Sequence, residues 1–206
     1  MTRTNTPNFA RKHSADWPWK QPPASLFESE EARTALSAVS ETAMPKKTAA
    51  PFVLADALLS AFDTNDRINQ YLLDSLPAEA WRAEPQEKRN KGRDIAAVVA
   101  HMHNVRVMWL KATKGSVPAQ LDRFTVTPAQ AKEALDSSRA ALREVLRSSL
   151  EGDGRIKGFR PDVAGFFGYL IAHDAHHRGQ ITMLARQSGH AIPQKAMFGM
   201  WEWGVR

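Results

Sequence analysis

The chain has 206 residues, 43% hydrophobic and 24% charged, with a formal net charge of +6. That is the composition of an ordinary globular protein, long enough for one domain with a real hydrophobic core. It has no cysteine, which excludes disulfides, thiolate metal ligands and a cysteine nucleophile, so any metal must be held by His, Asp, Glu or water.

No apolar run approaches the ~20 residues needed to cross a bilayer. The first residues lack the apolar stretch of a secretory signal. A cytoplasmic protein with no membrane partner is expected. The positive charge raises the question of nucleic acid, but outside the first twelve residues, which carry Arg3, Arg11 and Lys12 and no acid, both signs are mixed, and no basic stripe interleaved with aromatics is present. Nucleic acid is therefore not the expected partner.

Residues 1–50 read as an extension rather than part of the main domain. Pro7, Pro18, Pro22 and Pro23 stand among polar and basic residues, with Trp17 and Trp19 as possible docking points. Ser25 with Glu28 forms a capping-box pattern for a short helix over 25–40. A linker follows, from Ala43 to Pro51.

From Phe52 the pattern becomes helical. Val53, Ala57, Leu58, Phe62, Ile68 and Leu72 recur at helical spacing, predicting a helix from Phe52 to Leu76, ended by Pro77. A charged connection with Trp81, Pro85 and Gly92 comes next. A second helix is predicted from Arg93 to Lys114, stopped by Gly115 and Pro118. Thr127 and Pro128 read as the N-cap and first turn of a third, running to about Leu150. Pro161 opens a fourth, which reaches Gln187 and stops at Gly189. No period-2 alternation suggests a sheet. The expected fold is all-α, an antiparallel four-helix bundle over residues 51–206, with a short aromatic tail.

The chemistry concentrates in His173-Asp174-Ala175-His176-His177-Arg178-Gly179-Gln180. On a helical wheel Phe166, Leu170, Ile181 and Leu184 share a sector roughly 60° wide. His173 and His177 fall in or beside it, whereas His176 points about 90° away and Asp174 points to the side. Imidazoles four apart on one face can reach a common ion, and buried ring nitrogens need partners. The motif is not the H-E-x-x-H of zincins, so no general base of that kind is expected from Asp174. On the second helix, His101 and His103 flank a stripe of Ile95, Val98, Met102 and Trp109 on opposite sides. One of them would complete a three-histidine site and the other would face solvent or a partner; the wheel does not choose. Asp94, Asn104, Asp174 and Gln180 are candidates for orienting the ligands.

Val98-Val99-Ala100-His101-Met102 and His173-x-x-His176-His177-Arg178-Gly179-Gln180 together resemble the DinB/YfiT-like family of metal-binding four-helix bundles, over about residues 52–187. The resemblance implies one ligand from the second helix and a pair from the fourth, which selects His101, His173 and His177. It also implies a divalent ion (Zn, Ni, Fe or Cu by donor type) and, in similar members, a thiol-dependent transferase or isomerase. With no cysteine in the chain, that thiol would be a small-molecule cofactor attacking an electrophilic substrate. A hydrolase activating water is the related expectation, and a non-enzymatic, stress-related metal-binding or interaction bundle is the alternative. The tail from Met197 to Gly204 is expected to pack against a bundle end, with the mouth of the metal pocket or a dimer interface as the alternative. A homodimer using Arg178 and the outer face of the fourth helix is compatible with the pattern.

Overall fold

The computed structural model describes residues 51–84, 92–160 and 162–206. The readings made above for residues 1–50, and for Pro85 and Pro161, lie outside the described residues. Residues 51–206 make one compact unit. Among the described residues there are no strands, and no helix is long and apolar enough to cross a membrane.

The expected all-α bundle forms, with four long helices: α1 (Leu54–Asp74), α2 (Ile95–Thr113), α3 (Pro128–Glu151) and α4 (Val163–Gln187). A 3-10 segment, Ala78–Arg82, follows α1, and a short α5, Gln194–Gly199, follows α4. Local chemistry sets the boundaries. Asp94 accepts a hydrogen bond from the Ala97 N–H, capping α2. Asp162 does the same for α4 through Gly165. Thr127 and Gln130 form a reciprocal capping box, with Pro128 in the first turn of α3. Each device satisfies N–H groups that a helix start leaves without intrahelical partners. At the end of α2, Lys114 takes a left-handed conformation (φ 59°). The Gly115 N–H then closes onto the Leu110 carbonyl.

The core is in two parts. One gathers Leu72 and Leu73 of α1, Ile95 to Met102 of α2, Ala131 and Leu135 of α3, and Ile181 and Ala185 of α4. The other gathers Leu59 and Phe62, Leu110, Leu142 and Leu146, and Phe166 and Leu170. Phe62 and Phe166 are completely buried, each contributing about 1.5–3 kcal/mol.

This partition fixes the helix directions. The first half of α2 and the first half of α3 lie at the same end, so these helices run parallel. The same holds for α1 and α4. The antiparallel pairs are α1 with α3 and α2 with α4, so the bundle runs up-down-down-up. A parallel neighbour requires the chain to return along the length of α2, which residues 114–127 do. Asn104 holds that return in both directions, donating to the Leu121 carbonyl and accepting from its N–H. Trp81 and Arg82 hold its end through the Val126 carbonyl.

Between the two apolar clusters lies a polar layer. Arg106 of α2 is 1% exposed. It donates to Asp66 of α1 and Asp174 of α4, both at 2.8 Å, and to the Leu135 carbonyl of α3 at 3.0 Å. Asn65 and Asn69 of α1 also donate to Asp174, at 2.6 and 2.9 Å. Their side-chain carbonyls accept from Arg178. Asp174 is thus buried at the centre of α4, not turned to the side as the wheel placed it, and Arg178 points inward rather than toward a dimer partner. The wheel misjudged the face because Leu184 is only half-buried while the small Ala185 is fully buried. The core face of α4 is centred nearer Asp174 and His177.

The tail packs only in part. Ala196, Gly199 and Met200 sit against the bundle, whereas Phe198 and Trp201 are exposed. Gly199 lies so close to the Tyr71 hydroxyl that a Cβ there would clash with it.

A three-histidine cluster between two helices

His101 on α2 and His173 and His177 on α4 come together because these two helices are antiparallel neighbours. Ring centroids lie 4.4 Å apart for His173 and His177, 4.8 Å for His101 and His177, and 5.5 Å for His101 and His173. One ring nitrogen from each lies within 4.8 Å of the other two. The Nε2 atoms of His173 and His177 approach to 3.1 Å. Two lone pairs cannot face each other at that distance unless a proton or a cation lies between them. Metal–nitrogen bonds of about 2.0–2.1 Å to one ion place imidazole nitrogens at a similar spacing. The donor set therefore suits a divalent ion, and the His173–His177 pair already stands near the spacing of two nitrogens on one ion.

The rings are oriented from behind. His177 Nδ1 lies 2.7 Å from Gln180 Oε1. The amide oxygen can only accept, so Nδ1 carries the proton and Nε2 keeps its lone pair. Gln180 donates its amide N–H to His176 Nε2 at 3.0 Å. His173 Nδ1 faces Asp174 Oδ1 at 3.8 Å, a charge–dipole approach longer than a hydrogen bond. Of the four side chains expected to orient ligands, Gln180 and Asp174 lie against the imidazoles. Asp94 instead caps α2 and pairs with Arg82, and Asn104 holds the crossover.

His103 does not face solvent or a partner, as expected for the histidine outside the cluster. It is completely buried on the opposite side of α2. Its Nδ1 meets Ser138 Oγ at 3.2 Å, and its Nε2 meets the Ala119 carbonyl at 2.8 Å. It ties the crossover to α2 and α3, and burial lowers its pKa.

The electrostatics favour neutral imidazoles at His101 and His177. Burial, followed by the nearby His177, Arg93 and His173, lowers the His101 pKa to about 4. Burial also lowers that of His177. Below the cluster, the two carboxylates on Arg106 shift in opposite directions. Burial raises both, but at Asp174 the Arg106 charge and the converging hydrogen bonds prevail and hold it below the usual carboxylate range. At Asp66 burial prevails over Arg106 and raises it. Asp174 receives short hydrogen bonds from three side chains, against one for Asp66, which accounts for the difference. A carboxylate so fully engaged is no general base, in keeping with the absence of a zincin motif.

Sequence reasoning missed the layer of Asn65, Asp66, Asn69 and Arg106. A signal existed: Asn65 and Asn69 are four apart on α1, on the face that carries Phe62 and Leu72. Polar residues at core spacing call for buried partners.

On one side of His177 an open cleft of about 420 Å³ is lined by Gly92, Arg93, Val98, His176, Gln180, Met183 and Leu184, as well as by His177 itself.

A helical bundle that gathers three imidazoles from two neighbouring helices over a buried polar layer defines a class whose histidines are placed compatibly with metal binding. The chain belongs to the DinB superfamily, whose pattern matches residues 61–181, more than half its length. Residues 162–203 also match the DinB family. The crystal structure of a DinB-like protein from Bacillus cereus ATCC 10987 is similar, with a TM-score of 0.54 and 25% sequence identity. The similarity covers 67% of this chain and 95% of that one. No match is found among curated proteins.

Proposed function

We propose that this chain is a divalent-metal-binding protein with His101, His173 and His177 as ligands, and that the ion serves an enzyme acting on a thiol cofactor or water. The observation that carries this reading is the convergence of three imidazole nitrogens from two helices within 4.8 Å. Three neutral protein ligands leave coordination positions for an exogenous ligand, as in catalytic rather than structural sites. When bound, a divalent ion supplies Lewis acidity, which lowers the pKa of a thiol or a water. The protein's own contribution is orientation. Gln180 fixes the His177 tautomer, and Asp174, anchored by Arg106 and two asparagines, backs His173. Because the chain has no cysteine, a thiol would come from a small molecule, and the reaction class would be thiol S-transfer to an electrophile. Hydrolysis is the corresponding reaction if water takes that position.

The test is reconstitution. Metal-free protein titrated separately with Zn, Ni and Fe(II) should take up one ion per chain and gain thermal stability. At free metal 100-fold above Kd the gain is about 2.7 kcal/mol. His173→Ala should lose both effects; unchanged stoichiometry in that variant would show the ligand assignment to be wrong. Stoichiometric metal with no thiol binding and no hydrolysis would favour the non-enzymatic alternative.

A further inference from the structure

We propose that the cleft beside His177 binds a small ligand carrying a carboxylate on a short apolar body, with Arg93 as the anion anchor. This inference rests on the metal reading above and extends it to the class of ligand.

The first observation is the lining of the cleft. Val98, Met183 and Leu184 form an apolar wall, and Met183 is 51% exposed. His177 and Gln180 supply the polar edge toward the cluster. A volume of about 420 Å³ is in the range of small-molecule sites, which combine apolar walls with a few placed polar groups.

The second observation is Arg93. It lines the same cleft, and among the described residues it has no hydrogen-bond or ion-pair partner. Its charge is felt at His101, so it stands close to the ligand cluster. A guanidinium presents a planar fork of donors that matches a carboxylate.

The third observation is charge balance. The buried carboxylates Asp66 and Asp174 are matched by Arg106 and Arg178 in the polar layer. Nothing in that layer is left to neutralise a divalent ion held by three neutral imidazoles. With an ion bound there, Arg93 and the ion would together make a cationic mouth on an apolar wall. An anionic ligand relieves it, and an amphipathic one also covers Val98, Met183 and Leu184.

The probes are two small thiols of similar size, 3-mercaptopropionate and 2-mercaptoethanol, added to the full chain loaded with cobalt(II). Thiolate coordination is read from the sulfur-to-cobalt charge-transfer absorption, independently of any activity. The carboxylate-bearing thiol should bind about tenfold or more tightly than the neutral one, the size of one charge-assisted hydrogen bond. Arg93→Met should abolish that preference while leaving cobalt uptake and 2-mercaptoethanol affinity unchanged, and Arg93→Lys should keep part of it. Equal binding of both thiols by the wild type, or an undiminished preference in Arg93→Met, overturns the anion site while leaving the metal reading intact. Failure to take up cobalt overturns the metal reading and this inference with it.

Discussion

At the scale of single residues, the histidines divide by what holds their second nitrogen. His177 is oriented by Gln180, and His103 is committed at both nitrogens to Ser138 and the Ala119 carbonyl. That difference separates a candidate ligand from a structural histidine, and spacing alone could not supply it. It also yields a prediction. Gln180→Leu should retain the metal stoichiometry but weaken affinity about 10- to 100-fold, the usual cost of losing a partner that orients a ligand. Competition with a chromophoric chelator measures it, and wild-type affinity in the variant would remove Gln180 from that role.

At the scale of elements, the helices begin where short-range chemistry says they should. The capping box of Thr127 and Gln130 starts α3. Thr127→Ala should cost about 1 kcal/mol, read as a lower urea midpoint with an unchanged m-value. A change in m instead would point to altered compactness of the unfolded or native state. The crossover before α3 carries a larger consequence. His103, Asn104, Trp81 and Arg82 hold residues 114–127 along the bundle, so α3 can run parallel to α2. The antiparallel pairing of α2 with α4 is what brings His101 opposite His173 and His177.

At the scale of the molecule, the polar layer joins all four long helices through Arg106. Such a layer is weak evidence for stability, since burying charges is costly, but breaking it is costlier. Arg106→Met leaves Asp66 and Asp174 buried without their shared cation. We expect a loss of about 3–5 kcal/mol, measured by urea unfolding. A loss below about 1 kcal/mol, the range of an exposed pair, would show that the layer is not carrying charge as described. Because Asp174 also backs His173, the variant should bind metal more weakly even under conditions where it remains folded.

Much of the bundle was legible in the chain: four helices with boundaries close to those observed, the absence of strands among the described residues, and an i, i+4 histidine pair. These follow from local rules, because capping, helical periodicity and proline or glycine stops act within a few residues. The choice of His101 came from family resemblance, and the wheel left it level with His103. Tertiary structure decided the rest. It placed Asp174 and Arg178 inside, because the buried face of a helix is set by which neighbours it meets, and an apolar wheel does not count buried polar residues. It set the helix directions, because a crossover pinned by distant side chains leaves no periodic trace. And it gathered His101, His173 and His177 within reach of one ion, because three residues more than seventy positions apart at the extremes meet only when two helices pack side by side in opposite directions.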